Sequence, residues 1–593
     1  MESAMISLPK FSHARSTNQW LPLDLKHQVL CPGKVRKTHG ACAKNLASMR
    51  VRCENREDGR LEMDRRQLLL SSSTLGVSAL TSGKAMAKPF PAPDLSKCIY
   101  PTDLPTTPCS SSSFSAFPEG GCCPPFKEGE TAVDFEFPTS LPMRTRKAAH
   151  RVDAEFIEKY DKAVAAMKKL PLDDPRSFLQ QGRVHCAYCN GAYKVGSDAV
   201  QVHKSWFFAP FHRWYIYFYE RILASLIQDD TFALPFWNWD HVDGMTIPPM
   251  FTEKCRSLYN NNRDPCHQPP TLLNLAAATS CVSGDVDATY SNIYNHMVSG
   301  AGTAELFHGG PIRYEGENTG STGKLEASPH NLVHLWGGSP GNPHREDIGS
   351  LYSAGKDPLF YSHHSNVDRM WFIWNTTLKN KNFDDKDLME TEFLFYDENK
   401  QLVKVKAGDC YDISKLRYQY EERELPWLTK GRSLKKAGKV AAKPRTLKTF
   451  EKAVDDKAKN LSSPLTFKVE RPNKSPGKGQ VEVLKIEGVE TDRTGFSAFE
   501  IFINFPEANS GTPFNSPHYA GSFTTLGHGI MTEESMKSMT AKETFKIGIS
   551  ETLEDLGIEN DDEILVTLVP KSEKDLATSP ITFTSIKIEY VSK

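Results

Sequence analysis

Six histidines constrain this chain more than any other feature, because imidazoles bind a metal ion only if the fold brings their ring nitrogens to one point. His330 and His334 are four residues apart, so on a helix they share a face at the spacing two imidazoles need to reach one ion. Ser328 suits the N-cap of that helix, Pro329 its first turn and Gly337 its end. His363-His364 opens a further helix, running from about His364 through Trp374. Neighbouring helical residues point about 100° apart, so only one of the pair should face the same ion. The second set is His185, His203 and His212. His212 falls in the first turn of a helix expected from Phe211 to about Ile227 and opened by Pro210, which leaves His203 in the preceding loop, free to fold back. Two sets of three imidazoles on two helix pairs make a bundle core for two metal ions. A shell of imidazoles without carboxylates suits copper or zinc over magnesium or calcium. His241, His267, His296, His308, His344, His518 and His528 fit neither set and read as structural or exposed.

The 593 residues exceed what one core supports, so two or three domains are expected. With 72 basic and 73 acidic residues the chain has no overall basic field for nucleic acid, and no run approaches the roughly 18 apolar residues of a membrane span. From Ala148 to Leu170 the apolar spacing is helical, and aromatic residues crowd Trp206–Tyr219, so residues 88–428 read as a mainly α domain with long loops. Residues 429–460 carry eleven Lys/Arg against three acidic residues and few large apolar side chains, the composition of a solvated, protease-sensitive linker. Beyond it the period becomes two, at Leu465–Val469, Val481–Ile486, Phe499–Ile503, Ile564–Leu568 and Phe583–Val591, which predicts a β-sandwich over 461–593.

The first 87 residues read as an address. Residues 1–50 hold eight Lys/Arg, two acidic residues and seven Ser/Thr with no apolar run near the start, the bias of a plastid or mitochondrial transit peptide. Arg65-Arg66, a weak apolar stretch and Ala85-Met86-Ala87 then form a twin-arginine signal, so import into a chloroplast, transfer to the thylakoid lumen and a mature start at Lys88 are expected. The sequons at Asn375, Asn460 and Asn473 lack the secretory signal that would give them meaning. Cys98, Cys122 and Cys123 lie in a proline-rich stretch that cannot build its own core, which implies disulfides and an oxidising compartment.

Four stretches carry a family resemblance: His185-Cys186-Ala187-Tyr188-Cys189-Asn190-Gly191-Ala192-Tyr193, Phe211-His212-Arg213-Trp214-Tyr215, His330-Asn331-Leu332-Val333-His334, and Asp357-Pro358-Leu359-Phe360-Tyr361-Ser362-His363-His364-Ser365-Asn366-Val367-Asp368-Arg369-Met370-Trp371. With Tyr418-Gln419-Tyr420 and the double leader, they make the chain resemble the plant polyphenol oxidases, the tyrosinase and catechol oxidase family with a type-3 dinuclear copper centre. The resemblance implies that His185, His203 and His212 bind one copper and that His330, His334 and His364 bind the other, with O2 as co-substrate. It implies a Cys189–His203 thioether and the disulfides Cys98–Cys123 and Cys122–Cys186, and gives Cys109 no partner. It also places Glu326 as the residue holding a water near the second copper, Asn331 as its orienting partner, and Leu335 and Leu351 at the substrate gate.

The implied activity is oxidation of small phenols, catechols to o-quinones with monophenol hydroxylation besides, by a precursor whose C-terminal domain covers the site until a protease or a loosened interface exposes it. The implied partners are those phenols, the chloroplast import and twin-arginine machineries and an activating protease. An oxygen-binding protein without turnover would use the same centre, but the plastid leader argues against a carrier. A dinuclear zinc hydrolase would need bridging carboxylates, and none sits at ligand spacing. A structural metal protein has no need of the aromatic surroundings.

Overall fold

The computed structural model describes residues 88–98, 121–316, 319–437, 450–472, 477, 479–491, 495–528, 542–571 and 581–593. The expected leader, Cys109 and residues 438–449 lie outside them.

Helix α1 (Ala154–Lys168) starts where the Asp153 carboxylate accepts the Phe156 amide, and it buries Tyr160, Ala163, Val164 and Met167 along one stripe. Helix α2 (Phe178–Cys189) is capped by Ser177. Helix α3 (Phe208–Leu226) begins three residues earlier than the sequence suggests and has Pro210 inside its first turn. Proline is tolerated there because that amide would have no helical acceptor. Helix α4 (Val286–Tyr294) follows a long loop.

Ser328 does not cap a helix with its side chain. It has an extended backbone (φ −162°, ψ 134°) within an irregular turn over Glu326–His330, and its hydroxyl donates to Asn292 Oδ1 at 2.8 Å. The regular helix α5 is Asn331–Gly337. Helix α6 (Pro358–Thr376) starts six residues before His364, because Asp357 accepts the Leu359 amide and Pro358 fills the first position. The pair His363-His364 is therefore one to two turns inside a helix, not at its start.

A buried charge network joins these helices. Asp368 of α6 accepts from Arg146, Arg213, Tyr418 and Tyr420, while Glu220 of α3 pairs with Arg146 at 2.9 Å and Arg144 at 3.3 Å. Arg144–Arg146 and Tyr418–Tyr420 are paired parallel strands, so a sheet fragment built from residues far apart in sequence clamps both helices. Asp240 likewise accepts from Asn366, Arg369 and Trp427.

Trp427 belongs to helix α7 (Pro426–Ala437), which occupies the first part of the stretch expected to be linker. The second part is also ordered, as strands β1 (Glu451–Lys452) and β2 (Val454–Asn460). Charge composition alone concealed a helix anchored by one buried indole and two edge strands.

The C-terminal domain is a two-sheet assembly. Its further strands are β3 (Leu465–Glu470), β4 (Gln480–Val489), β5 (Ser497–Ile503), β6 (Tyr519–Thr525), β7 (Glu543–Gly548), β8 (Glu563–Lys571) and β9 (Thr582–Ser592). One sheet has the order β6-β5-β8-β3-β1 and the other β7-β4-β9-β2, mostly antiparallel, with α8 (Ser550–Leu556) between β7 and β8. Phe467, Phe499, Phe523, Phe545 and Phe583 fill the space between the sheets. On the outer face of the first sheet, Phe502, Tyr519 and Val569, with Phe514 of the loop before β6, merge with the apolar core of the helical domain. No helix among the described residues is long and apolar enough to cross a membrane.

Removing the Asp240 carboxylate leaves the Arg369 guanidinium buried without its main partner. Asp240→Ala should therefore lower unfolding stability by about 3–5 kcal/mol in denaturant titration.

Candidate metal centre

The six imidazoles meet where α2, α3, α5 and α6 approach one another, and all are buried. His185 lies in the last turns of α2 and His212 early in α3, while His203 comes from the loop between them. Its ring lies 5.6 Å from that of His185 and 5.1 Å from that of His212. His330 and His334 present Nε2 atoms 3.2 and 3.1 Å from Nε2 of His364. The two sets adjoin, with the His212 and His364 rings stacked at 4.4 Å.

Hydrogen bonds at the far side of each ring fix the tautomers. Nδ1–H of His185 donates to the Leu351 carbonyl (3.0 Å), that of His212 to Phe208 (2.7 Å) and that of His334 to Ile348 (2.6 Å). His330 donates Nδ1–H to Asn331 Oδ1 at 3.0 Å. A carbonyl only accepts, so the proton sits on Nδ1 and each Nε2 keeps a bare lone pair directed inward, the arrangement that metal-binding histidines use. Burial lowers the imidazole pKa values, to about 3 for His212 and about 4 for His334, so the rings are neutral at physiological pH.

His363 is built the other way. Its Nδ1 accepts the indole N–H of Trp239 at 3.2 Å, which places the ring proton on Nε2 and leaves no bare lone pair for a metal. The neighbouring position, His364, has its Nε2 among those of His330 and His334. All four histidines, His330, His334, His363 and His364, cluster their ligand atoms, and the Trp239 contact, which the sequence does not single out, favours His364 over His363 as the ligand.

The donor set fits two soft-to-borderline ions. Nε2 of His185, His203 and His212 has no hydrogen-bond partner among the described residues, although all three are buried. Orphaned nitrogens of that kind are costly unless something binds them. Neither group of clustered ligand atoms contains a carboxylate, which argues against magnesium, calcium and the bridged zinc pairs of hydrolases. Cys189 Sγ lies within the first group as a buried free thiol, which burial raises well above the ordinary range. Phe360 stacks on His364 at 4.0 Å and meets His185 edge-on at 4.8 Å, while Phe208 stands at 4.7 Å from His330.

Glu326 accepts the Lys204 amide on both oxygens at 3.0 Å, tying the approach to α5 to the residue after His203. Burial, and secondarily Glu543, push it up to about 8 against the Lys204 hydrogen bond. Asn331 is held at both ends of its amide. Its Oδ1 takes the His330 proton, and its Nδ2 donates to the Thr524 carbonyl of the C-terminal domain at 2.7 Å. Leu335 lines a cavity of ≈ 180 Å³ between α5 and the sandwich, with Leu332, Phe496, Phe514 and Glu500. Leu351 is buried beneath the C-terminal domain, its amide donating to the Gly527 carbonyl at 3.2 Å.

Disulfides Cys98–Cys123 and Cys122–Cys186 are present, the second beginning one residue after His185. A third bridge, Cys266–Cys281, had no signal in the sequence beyond two cysteines in a polar loop. His528, read as structural or exposed, is buried, with Nδ1 at 3.0 Å from Asn190 Oδ1. Nothing local could reveal this, since its partner lies 338 residues away.

Comparison with known proteins gives a consistent picture. Residues 175–377 match the common central domain of tyrosinase, 382–432 the polyphenol oxidase middle domain and 458–590 the chloroplastic polyphenol oxidase C-terminal domain. The chain is 43% identical to the chloroplastic polyphenol oxidase of Vitis vinifera, over 91% of this chain and 89% of that protein. It is 42% identical to the latent form of chloroplastic polyphenol oxidase of Prunus armeniaca, over 90% and 88%. The structure of latent apple tyrosinase superposes with a TM-score of 0.70 at 38% identity, covering 78% of this chain and 100% of that one.

Replacing His212 or His334 with alanine should remove one of two coppers per chain, counted by atomic absorption, together with nearly all oxidation. His363→Gln should keep both metals and His364→Gln should lose one; the reverse pattern would refute the tautomer argument.

Proposed function

The chain belongs to the plant polyphenol oxidase family, and on that premise we propose that it oxidises o-diphenols to o-quinones with O2 from a closed form in which the C-terminal domain lies over the site. The observation that carries this reading is the pair of adjoining histidine clusters, with four lone pairs directed inward by the hydrogen bonds of His185, His212, His330 and His334. His185, His203 and His212 would hold one copper and His330, His334 and His364 the other. Bound copper supplies O2 binding and electron transfer, so that two catechols each lose two electrons and two protons while one O2 leaves as two waters. A Cys189–His203 thioether would fix the one imidazole that no helix holds. O2 uptake at one molecule per two catechols supports the assignment, whereas reversible O2 binding without quinone would favour the oxygen-binding reading.

The residues of the chain set the substrate and the proton path. Leu335 and Leu351 offer apolar contact to a phenol ring, and the small leucine at 351 leaves room for simple monophenols. Glu326 would hold a water that Asn331, through the second lone pair of Oδ1, orients to take a phenol proton. Asn331→Gly should lower monophenol turnover per bound copper more than catechol turnover. An equal fall in both would reject the role.

Closure is supported by contacts across the domains. Lys204 pairs with Glu543 at 2.9 Å, Arg432 and Lys436 with Asp555 at 2.9 and 3.0 Å, and Lys546 with Glu305 at 2.9 Å. Cleavage within 438–449, between α7 and β1, would leave these pairs in place, so cutting alone need not open the site. Relatives named chloroplastic support a plastid location, reached through the leader and the import machinery, with the thylakoid lumen as the destination the twin arginine suggests.

The carboxylates divide in their response to acid. Burial works to raise Asp555, but hydrogen bonds from Arg432 and Lys436 hold it below its ordinary range, so the docking it contributes is present above about pH 3.9 and is lost as pH falls through the lower docked value. Burial pushes Glu500 up to about 7 and also raises Glu551, so their protonation favours docking as pH falls. The full chain should therefore stay closed between about pH 5 and 8 and open in mild detergent or below about pH 4. Catechol oxidation by residues 88–593 and by a chain ending near Thr429, compared across that range, tests this. Equal rates without detergent would make the C-terminal domain no inhibitor.

A further inference from the structure

Among the described residues, the segment Thr524 to His528 at the end of β6 brings the C-terminal domain against groups that orient the metal centre. Asn331 is the one side chain among the four hydrogen-bond partners of ligand Nδ1 atoms; the other three are backbone carbonyls. A side-chain amide can turn over, and a turned amide would point its N–H₂ at the His330 N–H and its oxygen at the Thr524 carbonyl. Both contacts would then be repulsive. The 2.7 Å bond from Asn331 Nδ2 to the Thr524 carbonyl therefore holds Oδ1 toward His330.

Leu351, whose carbonyl orients His185, is held in the same way. Its amide donates to the Gly527 carbonyl at 3.2 Å, and the Ser350 hydroxyl donates to the same oxygen at 3.4 Å. At the end of α2, the Asn190 amide donates to the His528 carbonyl at 3.1 Å and accepts from its ring at 3.0 Å. The segment is thus bonded on the side of each proposed copper.

We propose that Thr524–His528 is an outer layer of the copper site, positioning His330 through Asn331 and His185 through Leu351, so that copper retention and domain docking reinforce each other. This rests on the dinuclear copper reading above. Outer partners of metal-bound histidines are worth about 10–100-fold in metal affinity, and by linkage copper strengthens docking by the factor that docking strengthens copper binding. A segment that merely obstructs substrate would change access and leave copper affinity untouched.

The test uses the full chain loaded with copper, a Cu(I) chelator under anaerobic reducing conditions, and atomic absorption to count retained metal. Asn331→Leu should release copper about 10–100-fold more readily than the unaltered chain. Asn190→Ala touches no imidazole partner and loosens only the segment, and it should shift release in the same direction by a smaller factor. Removing copper should in turn speed hydrogen exchange at the Leu351 amide and over 522–528. If Asn190→Ala retains copper like the unaltered chain and exchange is the same with and without metal, the linkage is overturned, even where Asn331→Leu loses copper, since Asn331 then acts alone. If the unaltered chain fails to bind two coppers, the dinuclear reading falls and this inference with it.

Discussion

The metal centre depends on neutral, buried imidazoles, and the hydrogen bonds that fix a ring proton turn it away from the centre. Four of the six have that proton assigned by an acceptor within hydrogen-bond distance, and each acceptor needs its own support. The Phe208 carbonyl is a first-turn carbonyl of α3, directed by the helix itself. Ile348 and Leu351 come from the loop after α5. The buried network of Arg144, Arg146, Arg213, Glu220 and Asp368 lies one layer further out and fixes α3 against α6, so that His212 and His364 stack. Removing any single charge from such a network leaves its partners buried and uncompensated, which is why the helices are locked in register and not merely packed.

The C-terminal domain is not a separate body resting on this arrangement. Its outer apolar face is continuous with the helical core, and Ala327, beside Glu326, packs into the sandwich. The irregular turn before α5 is therefore shaped from both sides. Its backbone leaves the helical path at Ser328, whose hydroxyl bonds Asn292, and Asn292 in turn donates to Tyr519 of β6. One hydrogen-bonded chain thus runs from the sandwich to the residue two before His330.

Residue spacing made the helix-borne imidazoles legible, because a period of 3.6 ties sequence distance to direction. Alternation likewise exposed β3, β4, β5, β8 and β9. It missed β6, whose glycine, serine and threonines carry no apolar period although all seven residues are buried, and the short β7. From spacing the selection between His363 and His364 was legible only as a choice of one, and His364 came from the family resemblance, since the Trp239 contact spans 124 positions. The role of Asn331 was half visible: its place beside His330 is read from the sequence, but the carbonyl that holds its amide is 193 residues away. Helix α7 was obscured because its lysines and arginines dominate the composition, while one fully buried indole, Trp427, does the anchoring.

The cysteine bridges divide the two halves of the centre by chemistry. Cys186 and Cys189 both lie on α2, the helix of His185, and Cys122–Cys186 ties that helix to the N-terminal segment, which Cys98–Cys123 folds in turn. No cysteine occurs on α5 or α6, the helices of His330, His334 and His364. The adjacent residues Cys122 and Cys123 have different partners, so a reduced chain has a choice of pairings to resolve before the first half is fully tethered. The first half is therefore tethered through its own helix by the oxidising power of its surroundings, whereas the bridge beside the second half, Cys266–Cys281, acts from outside α5, through His267, whose Nδ1 donates to the Trp336 carbonyl at 2.5 Å.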